Sequence, residues 1–190
     1  YQNLGEFQKA VFHYKEAIKL GYDNEIAYLE LIYNLEYLNK LESNIPYFKS
    51  LTDENPYSHY AWYCLGLAYS RLKNYPEAIK AFDFSVIIKE DFASGWFNLG
   101  HNYMNEENYE KAKESYQKTL ALEKPSAEVL TYLASSLEKL GDFLGAFQNF
   151  KKATEIEENW EEAWYGMASV LFEQKKWMEA IHFAKKATSI

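Results

Sequence analysis

Residues Trp62–Phe82 read WYCLGLAYSRLKNYPEAIKAF and residues Trp96–Tyr116 read WFNLGHNYMNEENYEKAKESY, so the chain restates its key positions after 34 residues. A repeat of that length is one small supersecondary unit. It cannot bury both of its faces alone, so copies must stack and share a core. Extending the register without insertion starts units at Glu25, His59, Ala93, Ala127 and Glu161. Tyr28, Trp62, Trp96, Leu130 and Trp164 are then equivalent, as are Ile32, Gly66, Gly100, Ala134 and Ala168. Ala78, Ala112, Ala146 and Ala180 share a small slot, and Phe48, Phe82, Tyr116 and Phe150 an aromatic one.

Helical geometry accounts for these spacings. Trp62, Leu65, Gly66 and Tyr69 lie three, one and three apart, which is one face of a helix. Ala78, Phe82 and Ser85, four and three apart, mark one face of a second helix. Between them Asn74 stands where a cap is needed and Pro76 falls in the first turn, where its missing N–H costs nothing. Two short helices therefore pack back to back, and Gly66 and Ala78 are expected to let their backbones approach.

The Trp-x-x-Leu-Gly-x-x-Tyr … Ala-x-x-x-Phe pattern carried by both quoted stretches resembles the tetratricopeptide-repeat family, and the resemblance extends over essentially the whole chain. It implies an all-α fold, a right-handed α-solenoid of antiparallel helix pairs forming a single array over residues 1–190. Residues 1–24 are expected to be a partial unit, the end of a first helix followed by a second helix. Residues 25–58 form a degenerate unit, residues 59–92, 93–126 and 127–160 regular ones, and residues 161–190 a unit lacking its last turn. The degenerate unit has Asn44 in the small slot and Pro46 beyond the expected helix start, so its second helix is expected to begin near Ser43 or Asn44. Phe183 and Ile190 are expected to be exposed near an open end, as in a piece of a longer protein or a chain whose ends self-associate.

The resemblance also implies that the first helix of each unit lines a concave groove. Eight aromatics without a core duty fall on that face: Tyr33, Tyr37, Tyr60, Tyr63, Phe97, Tyr132, Tyr165 and Phe172. Leu67, Asn98, His101 and Met104 share it. Glu30, Glu36, Glu128, Glu138, Glu162 and Glu173 stand against only Arg71 and Lys139, leaving the middle nearly free of charge. One reading is packing between adjacent first helices. The other is a groove that holds a peptide or helix segment, basic or apolar in character. The lysine-bearing slots with which chaperone-binding members of the family clamp a C-terminal carboxylate hold Leu29, Tyr63, Phe97, Glu128 and Glu162 here, and only Asn98 matches an asparagine slot. An acidic chaperone tail is not an expected ligand.

Composition narrows the function classes. A net charge of −8 and a single arginine argue against a nucleic-acid partner. No apolar run approaches the ~18 residues of a membrane helix. One cysteine rules out an internal disulfide framework and fits a reducing, cytoplasmic compartment. The Lys-, Asn- and Tyr-rich, Arg-poor usage is that of an AT-rich bacterial genome. The four histidines form no His-Glu-x-x-His pair, and there is no phosphate loop or nucleophile elbow. Cys64 and His101 occupy groove slots of consecutive units, and an inert cysteine is the expected reading. No enzymatic activity, metal or cofactor is expected. A protein-binding scaffold and a module that assembles through its terminal repeats remain.

Overall fold

The computed structural model describes residues 2–21 and 25–190, with the side chains of Gln2, Asn3 and Glu25 outside the description. Among the described residues every regular element is helical. The elements are α1 (Gln2–Lys19), α2 (Glu25–Tyr37), α3 (Ile45–Glu54), α4 (His59–Arg71), α5 (Tyr75–Ile88), α6 (Ala93–Asn105), α7 (Tyr109–Leu122), α8 (Ala127–Lys139), α9 (Phe143–Ile156), α10 (Glu161–Glu173) and α11 (Trp177–Ala187). The fold is an α-solenoid of helix pairs. The chain divides into two compact units, residues 1–98 and residues 99–190.

The turn inside each pair is where the repeat is most exact. Asn39, Lys73, Glu107, Gly141 and Lys175, each 34 residues after the last, adopt positive φ of 53°, 58°, 57°, 81° and 62°. The next residue donates its N–H five positions back, as in Asn74→Tyr69 O and Asp142→Leu137 O, both at 2.9 Å. This is the left-handed helix stop, which satisfies carbonyls that the helix end leaves open. Only one of the five positions is glycine, although the left-handed region costs an L-residue about 1–2 kcal/mol. Changing Glu107 to glycine should therefore raise stability by about 1 kcal/mol. A Cβ at Gly141 would meet no atom within 4 Å. Gly141→Ala should thus lose a similar amount through the backbone alone, and urea denaturation of both variants measures the pair.

In the first unit α1 packs on α2, α3 on α4, α4 on α5 and α2 on α4. Its core holds Leu31, Leu35, Phe48, Ala68, Ala78 and Phe82. The glycine slot is tied to the aromatic slot of the same pair. A Cβ on Gly66 would lie 2.8 Å from the Phe82 ring, and one on Gly100 lies as close to Tyr116 in the second unit. The missing side chain therefore makes room for the aromatic of the same pair. Asn74 stands at the N-cap of α5, with Pro76 in the first turn, but its side chain makes no capping bond. Asn108 and Asp142, its equivalents, do cap.

One expectation changes and another is met. α1 is one unbroken helix through the place where the partial unit was expected to turn, and Gly5, in the turn slot, is not left-handed. α3 begins at Ile45 behind a short 3-10 turn, Glu42–Asn44, with Pro46 in its first turn. Pro46 is compatible with helix only there.

In the second unit α7 packs on α8, α8 on α9, α9 on α10 and α10 on α11, while α8 and α10 also touch. Phe150 lies at the centre of its core among Leu130, Met167, Val170 and a set of alanines. Phe183 is partly buried against this core and rings with Phe147 and Trp164 at 5.8 and 6.1 Å. The expected apolar exposure at Phe183 is thereby corrected; Phe172, Trp177, Met178, Ile181 and Ile190 carry it instead.

Candidate functional site

Each of the two units carries first-helix faces of its own. In the first unit Tyr33 is well exposed, and Tyr37, also exposed, stacks on Phe7 at 4.0 Å. Glu36 pairs with Arg71 across 3.8 Å, so the chain's arginine is already engaged. Tyr60 is half-buried between His59, at 3.9 Å, and Phe92, at 5.6 Å. Tyr63 is only 3% exposed and Leu67 is buried beside it. The Tyr63 ring meets Phe92 at 4.9 Å and Phe82 at 5.7 Å, and its hydroxyl accepts from Asn98 Nδ2 at 3.1 Å. Tyr63 and Leu67 are spent on packing, which corrects their expected place as free anchors. Phe97 and Asn98 stay partly exposed.

Phe92 is the residue that sequence reasoning missed. It precedes α6, outside either helix face, yet it touches His59, Tyr60 and Tyr63. Gly95 marks its place, since a Cβ there would lie 2.8 Å from the Phe92 ring.

In the second unit the face is open. His101 and Met104 are partly exposed. The His101 ring stands edge-on to Tyr132 at 5.3 Å, and Tyr132 stacks on Tyr116 at 5.7 Å. Tyr132 is thus held from two sides while remaining half-exposed. Burial raises its pKa, and the carboxylates of Glu128 and Glu162 add to the rise. The neighbouring Tyr116 is raised further, chiefly by burial.

Residues of α8 and α10 enclose a pocket of about 760 Å³. Its α8 wall carries Glu128, Thr131, Tyr132, Ser135 and Glu138, at helical spacings of one face. Its α10 wall carries Glu161, Glu162, Tyr165, Gly166 and Ser169, with Trp160 at the rim of the helix and Phe150 behind. Ser169 donates to Glu138 Oε1 at 2.6 Å, tying the two walls. Tyr165 is 68% exposed. Thr131, Ser135, Glu161 and Ser169 were not singled out by the sequence; the facing stripes on α8 and α10 could have found them.

Phe172 lies apart from Tyr132. It lines a smaller apolar hollow of about 390 Å³ with Tyr165, Ala168, Trp177, Ala180, Ile181 and Ala184, and its ring meets Trp177 at 4.9 Å. Ala184 stands in the slot that Phe82, Tyr116 and Phe150 fill elsewhere, so this pair lacks the ring that would occupy the space.

Cys64 is fully buried, and burial pushes its thiol well above the ordinary range, which disfavours the thiolate needed for chemistry. Among the described residues no three His, Cys, Asp or Glu side chains gather in a way that could hold a metal ion. No described helix is long and apolar enough to cross a membrane.

Comparison with known proteins follows the same lines. A family described as anaphase-promoting complex, cyclosome, subunit 3 matches residues 105–187, and tetratricopeptide-repeat models match residues 59–83 and 1–21. No curated protein sequence matches the chain. Among solved structures, YrrB, described as a TPR protein with an unusual peptide-binding site, superposes with a TM-score of 0.76 at 19% identity, over 93% of this chain and 91% of its own. MamA from Desulfovibrio magneticus RS-1 gives 0.79 at 13% identity, over 87% and 93%. The Cut9–Hcn1 tetramer of the APC/C gives 0.69 at 17% identity, over 96% of this chain and 35% of that one. At these identities the likeness is one of fold.

Proposed function

Because this chain belongs to the tetratricopeptide-repeat family, we propose that it is a non-catalytic scaffold whose first-helix faces hold a peptide or helical segment of a partner protein. One observation carries the reading: α8 and α10 present fixed and exposed aromatics around a pocket large enough for several side chains, and no core duty requires them there. The anchors in the second unit are His101, Met104, Tyr132 and Tyr165; in the first unit they are Tyr33, Tyr37, Tyr60, Phe97 and Asn98. The family and the fold neighbours, one of them described as peptide-binding, support the same class of function.

Selection of random peptides displayed against the immobilised full chain tests this. Peptides should be enriched, and a Tyr132→Ala, Tyr165→Ala variant with an unchanged circular-dichroism melt should lose them. Absence of enrichment, or equal binding by the variant, overturns the reading. A second reading, self-association through the α10–α11 end, draws on the apolar hollow around Phe172 and Trp177. A molar mass that climbs with concentration in light scattering would favour it.

A further inference from the structure

The α8–α10 pocket has a sign as well as a shape. Glu128, Glu138, Glu161 and Glu162 line it, and no lysine or arginine does. Among the described residues none of these carboxylates is in an ion pair; Glu138 takes a hydrogen bond from Ser169 and the others are exposed to solvent at the pocket mouth. The first unit is different, because there Glu36 is answered by Arg71.

Two tyrosines line the pocket beside these carboxylates, Tyr132 from α8 and Tyr165 from α10. Tyr132 is held by a T-shaped contact with His101 and by stacking on Tyr116, so its place in the pocket wall is set before anything binds. Glu128 on α8 and Glu162 on α10 line the same pocket as Tyr132, and both help to raise the pKa of its hydroxyl. A cation is attracted by the face of an aromatic ring and by carboxylates at its rim, and both attractions strengthen as water leaves. The Trp160 side chain, next to Glu161 and Glu162, lines the same pocket, and its indole N–H is buried without an acceptor among the described residues.

We infer that this pocket is a receptor for a cationic side chain, a lysine or arginine of the bound segment, drawn in by Glu128 and Glu162 and packed against the tyrosines of the pocket wall. The inference rests on the scaffold reading and makes it specific: the partner segment is basic where it meets α8 and α10. An apolar segment would leave unanswered charge at the rim, and an acidic one would be repelled. A cationic residue satisfies both the ring and the carboxylates.

The test uses the full chain and three matched probes, acetyl-Gly-Ser-Xaa-Ser-Gly-amide with arginine, citrulline or norleucine at Xaa. Citrulline keeps the shape of arginine without its charge, and norleucine is apolar. The indole N–H resonance of Trp160 reports the pocket, and that of Trp62, in the other unit, is the control. The arginine peptide should move the Trp160 signal saturably and leave Trp62 in place. It should bind about tenfold more tightly than either neutral peptide, and added salt should narrow that margin. The Glu128→Gln, Glu162→Gln variant changes two exposed side chains, so it should keep the fold and lose the preference for arginine. Equal binding of the three peptides, or an undiminished preference in the variant, overturns the inference while the scaffold reading stands. A Trp160 signal that responds to none of the probes removes the inference, and failure of the displayed-peptide selection removes the broader reading.

Discussion

Replacing Phe150 with alanine lowers the stability of the second unit by about 4 kcal/mol, measured as the shift of its chemical-denaturation midpoint. The ring is 1% exposed, and its core is made mostly of small residues, Ala127, Ala134, Ala146, Ala153 and Ala163, together with Leu130, Met167 and Val170. A Cβ built on Gly166 would lie 2.3 Å from the ring. The alanines have no rotamers with which to fill the space the ring leaves, and only Leu130, Met167 and Val170 can shift toward it, so much of the cavity survives and its cost is felt. The reverse error is also penalised. Gly166→Ala should destabilise by about 1–3 kcal/mol, because the ring must move and the surrounding alanines are already in contact. The two sites touch, so Gly166→Ala combined with Phe150→Leu should cost less than the sum of the single changes. Additive losses would mean that the glycine serves some purpose other than admitting the ring.

The same residues mark how far the sequence could be read. The spacing of tryptophan, glycine, alanine and aromatic slots placed the helix pairs because those slots are dictated inside each pair, where Gly66 meets Phe82 and Gly100 meets Tyr116. The first-helix faces were legible as faces and not as surfaces. Tyr63 and Tyr165 hold the same repeat position, yet one is 3% exposed and the other 68%. Tyr63 is covered by Phe92 and bonded by Asn98, neither of which belongs to its own helix. Leu67 and Tyr33 divide in the same way. Periodicity fixes where a side chain points, whereas burial depends on what the next pair brings, and in a degenerate repeat that differs from copy to copy. The left-handed turn residue escaped notice for a related reason: Asn39, Lys73, Glu107, Gly141 and Lys175 share a backbone conformation and almost no chemistry. The acidic character of the pocket, by contrast, was visible in the glutamates alone, and the structure added which of them face one another.

Trp164→Ala should cost about 3 kcal/mol, whereas Trp164→Phe should cost under about 1 kcal/mol, with thermal denaturation distinguishing the two. The tryptophan slot was expected to serve as core filler. Its indole N–H does something that spacing could not reveal: Trp62 donates to Pro56 O at 2.9 Å, Trp96 to Glu90 O at 2.8 Å and Trp164 to Glu158 O at 2.7 Å. Each therefore clasps the turn that leads into its own helix, six residues upstream. The ring does most of the holding. That of Trp164 stacks on Phe183 and lies under the Lys186 ammonium at 5.5 Å, and Lys186 reaches Glu158 at 3.4 Å, closing a small circuit around the turn. The clasped carbonyl is exposed, so phenylalanine leaves it to water at little loss, while alanine removes the surface against which the turn and Phe183 pack. The chain contains its own precedent in Leu130, which fills the slot without an indole and is buried to 5% exposure. If Trp164→Phe proved as damaging as Trp164→Ala, the hydrogen bond and not the ring would be what closes the turn, and Leu130 would need a replacement donor that its repeat does not supply.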